Sequence, residues 1–160
     1  MDGKMDIRKI GEQDYTEIIG LIRAEFPYVS FDEEKIRKRI GSNKIFVFKA
    51  VEGKKLLGFI EVEVLEASIA RINGVTVKPR YRNRGVAKKL LLYVIEFLKK
   101  KDIERVLLLV KEKNSAAKKV YKEAGFSFIG MYRRQLDNAT VEEMELDLKP
   151  GSKEDLSYVG

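Results

Sequence analysis

The 160-residue chain contains no cysteine and no histidine. Their absence excludes disulfide bonds, thiol nucleophiles, zinc sites built from Cys or His, and any catalytic triad that needs an imidazole. We therefore expect no bound metal. General acid or base chemistry would depend on Asp, Glu, Tyr, Lys, backbone groups or water.

The sequence also lacks the segments that anchor or export a chain. No apolar run approaches the roughly 20 residues of a membrane span. The first residues, MDGKMDIRK, are too polar for a secretory signal peptide. We expect a cytoplasmic protein with no membrane partner. The charged fraction of 36%, combined with the absent cysteine, is also thermophile-like.

The formal net charge of +7 indicates an anionic partner, which would be either nucleic acid or a phosphorylated cofactor. A Lys-rich solvated surface gives the same balance and is the simpler interpretation of charge alone. The chain carries no recognised RNA- or DNA-binding motif, which argues against a nucleic-acid partner.

Hydrophobic patterning predicts a single domain over residues 1–150, followed by a tail at 151–160 that we expect to be mobile. A first helix covers Asp14 to Phe26 and ends at Pro27. A second helix begins after Asp32 as its N-cap and is closed by Gly41.

The remaining pattern alternates strands and helices. Strands are predicted at residues 44–51, 56–65, 69–77, 105–110, 126–132 and 141–148, with helices after the third and fourth. The fourth strand, RVLLLV, is apolar throughout and is predicted to be covered on both faces. The fold class is α+β, an α/β three-layer arrangement. It has a mixed central sheet of about six to seven strands, a β-α-β core and two N-terminal helices.

Three arginines surround one glycine where the third strand gives way to a long helix: Arg80, Arg82, Arg84 and Gly85. The first amides of a helix have no partner within it and carry roughly half a positive charge. Gly85 lets a ligand approach the backbone, and Ala87 keeps the next position small. The stretch predicts an anion site, although it matches neither a P-loop nor a dinucleotide fingerprint. The alternative is a basic loop with a turn glycine.

Two segments together resemble the acetyl-CoA-binding region of the GNAT superfamily of N-acetyltransferases. The first is Val75-Thr76-Val77 followed by a proline, R-x-x-G-x-A and an apolar helix. The second is NSAAKKVYKEAGF, which begins at Asn114 about thirty residues later. The resemblance covers most of the chain. Within the superfamily, the stretch 72–77 looks most similar to protein N-terminal acetyltransferases, including those that act on ribosomal proteins.

The resemblance implies acetyl-CoA as cofactor and gives individual residues roles. The turn amides would hold the pyrophosphate, and the preceding strand would pair with the pantetheine arm. Asn114 would contact the cofactor, while it also suits a helix N-cap. Tyr121 would face the thioester sulfur and donate a hydrogen bond to the departing thiolate; core packing is its alternative role. The implied cofactor-binding residues are Val75, Thr76, Val77, Arg82, Asn83, Arg84, Gly85, Val86, Ala87, Lys88 and Asn114.

The resemblance does not supply a general base. The two strand positions where many family members place a glutamate hold Arg71 and Leu109. Glu61 and Glu63 are candidates if their face looks into the acceptor site, and water relayed by a carbonyl or by Asn73 is equally possible. A solvated strand face is the simpler role for both glutamates.

The predicted activity is direct transfer of an acetyl group from acetyl-CoA to a primary amine, with coenzyme A as product. A protein N-terminus or lysine is favoured over a small-molecule acceptor. Phe26-Pro27-Tyr28 and Tyr132-Arg133-Arg134 are predicted to line the acceptor site. A non-catalytic acyl-CoA sensor on the same fold is the alternative, followed by a basic nucleic-acid-binding module. The chain is expected to be a monomer or a homodimer.

Overall fold

The computed structural model describes residues 4–27 and 30–148. By its internal contacts the chain falls into two compact units. One comprises Met1–Glu63 and Ile72–Val94, and the other comprises Val64–Arg71 and Ile95–Gly160. The boundary of a single domain at residue 150 stays a prediction. The predicted mobile tail and Tyr28 lie outside the described residues.

The described part of the chain contains four α-helices and seven strands of one mixed sheet, in the order β1-β2-β3-β4-β5-β7-β6. The predicted α+β class with two N-terminal helices is therefore confirmed. The strands are β1 Met5–Lys9, β2 Ile45–Glu52, β3 Lys55–Glu66, β4 Ile69–Val77, β5 Arg105–Lys111, β6 Ser127–Met131 and β7 Val141–Asp147. The helices are α1 Tyr15–Glu25, α2 Glu33–Gly41, α3 Val86–Lys100 and α4 Ser115–Glu123. No helix among the described residues has the length and apolarity to cross a membrane.

Strand β1 was not predicted from the sequence. β1 pairs antiparallel with β2, with Ile7 opposite Ala50. Alternation covers only the start of the strand, where Asp6 lies between Met5 and Ile7. A segment this short gives too few repeats to distinguish a strand from a polar leader.

The first unit places helices on both faces of β2. Ile18 of α1 and Ile36 of α2 belong to one buried cluster with Val47 of β2. The next residue along β2, Phe48, points the other way and packs edge-on against Tyr93 of α3, with ring centroids 5.1 Å apart. Alternation along one strand thus builds the helix–sheet–helix layering that was predicted. Each fully buried aliphatic side chain contributes roughly 2 kcal/mol to folding.

Both ends of α2 lie where the sequence predicted them. The Asp32 side chain accepts a hydrogen bond from the Lys35 amide at 3.0 Å, as expected of an N-cap. Gly41, predicted to close the helix, is its last residue. The left-handed position is Asn43, with φ of 62°. Asn tolerates this conformation better than most residues, so it replaces glycine in the turn.

Gly58 of β3 is a contact point between backbones. A Cβ at this position would lie 2.5 Å from the Thr76 carbonyl oxygen and 3.0 Å from the Val77 Cα. We expect Gly58→Ala to lower the free energy of unfolding by about 2 kcal/mol, because backbone atoms must move to relieve the overlap. Denaturant titration would measure the loss.

Gly20 provides the matched control. It lies in α1 with open space where a Cβ would stand. Gly20→Ala should raise the free energy of unfolding by up to about 1 kcal/mol, through helix propensity. If both alanine variants shifted stability in the same direction, the steric interpretation of Gly58 would be wrong.

In the second unit, β5 is fully buried on one face only, which corrects the prediction that both faces are covered. Val106, Leu108 and Val110 are buried, whereas Leu107 and Leu109 are half-buried. The apolar run therefore has two purposes. Its even-numbered residues fill the core, and its odd-numbered leucines face a cleft described below.

Strand β6 ends the sheet order beside β7 and contains an irregularity. Its register with β7 shifts between Phe128 and Gly130, so Ile129 is an extra residue in a β-bulge. Phe128, Ile129 and Met131 are all about half exposed, at 52%, 45% and 47%. This edge strand is therefore apolar, and the bulge interrupts its regular pairing with β7.

Candidate active site

The end of β4 and the following turn are held by backbone and arginine contacts. The Lys78 amide donates to the Leu57 carbonyl at 2.9 Å. The Arg82 Nε donates to the Val77 carbonyl at 3.1 Å. Arg82 also forms an ion pair with Glu25 of α1 at 2.7 Å. Arg82 thus fixes the turn against the end of the strand that precedes it.

The turn itself contains two left-handed residues, Asn83 with φ of 64° and Gly85 with φ of 80°. Gly85 is the N-cap of α3, because its carbonyl accepts the Lys89 amide at 3.0 Å. The amides of Val86 and Ala87 therefore stand at the helix start, where the helix supplies no acceptors. A Cβ added to Gly85 would meet no atom within 4 Å. An anion can consequently approach these amides without displacing protein atoms.

The arginines around this turn are less available than their sequence suggests. Their neighbours in sequence include no acid, but the fold supplies acids from elsewhere. Arg84 pairs with Glu52 at 3.3 Å, and its guanidinium lies 5.7 Å from the Tyr81 ring centroid. Arg80 lies at the same distance from that ring. Two of the three arginines are thus already paired with carboxylates, so the backbone amides are the principal anion ligands that the turn offers.

The structure brings the three candidate base residues of the first unit together. The Asn73 side-chain amide donates to Glu61 at 2.7 Å and to Glu63 at 3.1 Å. Arg39 of α2 donates to both oxygens of Glu61, at 3.1 and 2.5 Å. The hydrogen bonds to Glu61 raise the pKa of Arg39, so the guanidinium stays charged. The prediction of a solvated face for both glutamates is wrong, since both are half-buried and hydrogen-bonded.

This network bears on which residue can accept a proton. The Arg39 guanidinium occupies both oxygens of the Glu61 carboxylate, and Asn73 donates to one of them as well. Glu61 is therefore better suited to positioning Asn73 and α2 than to acting as a base.

In the second unit, Asn114 performs the capping role that was one of its two predicted functions. Its side-chain oxygen accepts the Ala117 amide at 3.1 Å at the start of α4. The predicted stop at Gly125 is also confirmed: this residue has φ of 107°, and the Phe126 amide bonds back to the Tyr121 carbonyl at 3.0 Å. The predicted cofactor contact of Asn114 stays a prediction.

Tyr121 lies on α4, and its ring packs edge-on against Phe126 with centroids 6.1 Å apart. Burial raises the pKa of the Tyr121 phenol to about 12. Among the described residues, its hydroxyl has no hydrogen-bond partner. The ring is thus packed, as the alternative interpretation predicted, while the hydroxyl keeps its proton and its capacity to donate.

A small cleft in the second unit is lined by several residues that were considered separately as candidate site positions in the sequence. Its lining includes Arg71 and Leu109, the two positions that lack a family glutamate, together with the predicted acceptor-site residue Tyr132. Leucines form most of the rest: Leu65, Leu107 and Leu108. Glu143 of β7 also lines the cleft and was not predicted. The sequence around Glu143, VEEMELDL, indicates only a strand with one polar face. The residue that lies opposite Glu143 on the neighbouring strand is known only from the structure.

The other predicted acceptor residues are surface residues in the structure. Phe26 is 37% exposed, and Arg133 and Arg134 are exposed. Their role at an acceptor site stays a prediction.

Comparison with known proteins identifies relatives of one kind. A curated relative, spermidine N(1)-acetyltransferase of Thermoplasma acidophilum, is 26% identical over 142 residues, which covers 76% of this chain and 88% of the relative. The ribosomal-protein-S18-alanine N-acetyltransferase of Escherichia coli superposes with a TM-score of 0.77 at 20% identity, covering 91% of this chain and 95% of that one. The PaiA N-acetyltransferase of Thermoplasma acidophilum, solved in complex with coenzyme A, gives a TM-score of 0.70 at 24% identity, with coverage of 90% and 99%.

A family model matches across the region that contains both sequence motifs. It describes the acetyltransferase (GNAT) family and aligns with residues 11–126, from the turn before α1 to the residue after the α4 glycine stop. This span contains the glycine turn at Gly85 and the segment from Asn114 to Tyr121. The match confirms the resemblance that these motifs carry, and the chain belongs to the GNAT family of acetyltransferases.

Proposed function

We propose that this acetyltransferase moves an acetyl group from acetyl-CoA directly to a primary amine. The observation that carries the proposal is the start of α3. There, a glycine N-cap with φ of 80° leaves open space in front of the first helical amides. A pyrophosphate is the anion that such a turn suits, and coenzyme A supplies one.

The residues present fit this cofactor. The amides of Gly85, Val86, Ala87 and Lys88 would bind the pyrophosphate, with Asn83 shaping the turn. The backbone of Val75, Thr76 and Val77 would pair with the pantetheine arm, whose reactive end carries the thioester. Asn114 would add a contact through atoms not used for capping.

Tyr121 would act on the leaving group. A free thiol has a pKa of about 8.5, far below the value of about 12 for this phenol. Complete proton transfer from the phenol to the thiolate is therefore uphill, and hydrogen-bond donation to the sulfur is the step this group can perform. The chain has no cysteine, so direct attack by the amine on the thioester is the simplest route.

The acceptor is proposed to be a protein N-terminus or a lysine. A small polyamine is the second candidate, because a curated relative at 26% identity is a spermidine acetyltransferase. A non-catalytic acyl-CoA sensor would bind coenzyme A equally well but release no thiol.

Thiol release tests the function. The protein would be incubated with acetyl-CoA and one of four acceptors: a peptide with a free N-terminus, the same peptide blocked at the N-terminus, a lysine-containing blocked peptide, and spermidine. Free coenzyme A and the acetylated product would both be followed. We expect acceptor-dependent thiol release with stoichiometric acetylated amine. Tight coenzyme A binding without release for any acceptor would favour the sensor.

A further inference from the structure

The cleft of the second unit contains one carboxylate, Glu143, and its position is informative. In the register of β5 and β7, Glu143 lies directly opposite Leu109. Residues opposite each other in an antiparallel pair share a face, with Cβ atoms about 5 Å apart. Leu109 is the position at which many family members carry a glutamate. Strand β5 has no glutamate at this position, but Glu143 of the neighbouring strand β7 places a carboxylate directly beside Leu109.

Glu143 also differs from the other glutamates of its strand. Glu142 pairs with Lys118 at 3.0 Å, and Glu145 pairs with Arg105. Within residues 4–27 and 30–148, no hydrogen bond or ion pair involves the Glu143 carboxylate. A half-buried carboxylate on an apolar floor is costly unless a cation accompanies it. Glu143 is therefore available to pair with a cationic ligand that enters the cleft.

The charged and titratable groups around Glu143 are few. The cleft also holds the Arg71 guanidinium and the Tyr132 phenol. Gly130 is opposite on β6, and Glu145, next on the same face, is bonded to Arg105. The cleft thus combines one cationic side chain, Arg71, with one carboxylate, Glu143, that has no hydrogen-bond or ion-pair partner among the described residues, and this carboxylate can bind a single ammonium group.

Resting on the proposed function, we propose that Glu143 binds the ammonium of the acceptor and removes its proton. The carboxylate takes one proton from R–NH3+ and later passes it to water. The amine lone pair then forms the N–C bond to the acetyl carbonyl carbon while the C–S bond breaks. The second proton lost from nitrogen goes to the departing sulfur, which leaves as the thiol of coenzyme A. The base sought on β3 and β4 thus lies on β7.

The test compares Glu143→Gln with Glu145→Gln. Both changes replace a carboxylate by its neutral isostere on the same face of β7, but only the first faces the cleft. The acceptors are the peptide with a free N-terminus, the lysine-containing blocked peptide and spermidine, whichever the parent acetylates, with thiol release followed from pH 7 to pH 9. Coenzyme A affinity and the unfolding midpoint are measured alongside.

We expect Glu143→Gln to lower kcat/KM for the acceptor at least about tenfold at pH 7, with coenzyme A affinity unchanged. The deficit with the peptide should shrink toward pH 9, since an α-amine of pKa about 8 then loses its proton unaided. Glu143→Asp should recover part of the rate. Glu145→Gln should behave as the parent does.

Three results would overturn the inference. A Glu143→Gln enzyme with parental kcat/KM at pH 7 shows that the proton goes elsewhere while the acetyltransferase function stands. A deficit that is the same at every pH, or accompanied by a lowered unfolding midpoint, assigns Glu143 a structural role. A parent that acetylates none of these amines removes the proposed function and this inference with it.

Discussion

Coenzyme A should bind at least about tenfold more weakly when Gly85 is replaced by alanine. The Cβ would occupy the space in front of the α3 amides that is open in the structure. A ligand kept away from these amides loses hydrogen bonds to a charged group, each worth about 1.5–3 kcal/mol. That loss corresponds to roughly tenfold to a hundredfold in affinity. Calorimetric titration with coenzyme A gives the value directly.

Gly53 offers a control with the same backbone strain. It has φ of 63° in the β2–β3 turn, and a Cβ there also meets nothing within 4 Å. Gly53→Ala and Gly85→Ala should cost similar stability, roughly 1 kcal/mol each. Only the second should affect coenzyme A. If the Gly85 variant bound coenzyme A as tightly as the Gly53 variant, the α3 turn would not be the pyrophosphate site.

The second large effect is expected for Tyr121→Phe. The change removes the hydroxyl and leaves the ring to pack on Phe126. We expect kcat to fall about a hundredfold, the lower range for loss of a positioned proton donor. Coenzyme A affinity and the unfolding midpoint should stay within error of the parent, since the hydroxyl has no hydrogen-bond partner among the described residues. Single-turnover thiol release separates this step from product release.

The raised pKa of Tyr121 adds a pH criterion with a definite sign. The phenol is protonated below about pH 12 in the folded protein, so its donation should be constant from pH 7 to pH 10. The ratio of parental to Tyr121→Phe rates should therefore be flat over that interval. A ratio that fell with a midpoint near pH 10 would show an unburied phenol, and a parental rate in the variant would assign Tyr121 to packing alone.

Helices and strands with a long hydrophobic pattern and a distinctive boundary residue were predicted correctly from the sequence. Strand β4 was predicted with its observed limits because Pro79 closely follows a β-branched run. The α4 stop was predicted because Gly125 satisfies a left-handed position at little cost. The turn at Gly85 was recognisable as a family motif because its glycine, its small residue and its helix are contiguous in the chain.

The failures share a different physical origin, which is contact between residues distant in sequence. Asp14 to Phe26 correctly suggested a helix, but nothing local indicated that Glu25 would pair with Arg82 or Arg39 with Glu61. The apolar run of β5 indicated burial on both faces because its composition does not reveal where a covering helix is missing. Glu143 was not predicted as a site residue because its position opposite Leu109 depends on the pairing register of β5 and β7. That register cannot be deduced from the sequence of either strand alone.

The bulge at Ile129 has a consequence for the behaviour of the protein at high concentration. An outer strand with Phe128, Ile129 and Met131 half exposed would ordinarily be a template for stacking further chains through their backbones. An extra residue breaks the regular spacing of hydrogen-bonding groups that such stacking requires. The bulge therefore lets the protein expose an apolar edge strand without a regular template for fibril growth. Deletion of Ile129 should make the protein precipitate at high concentration.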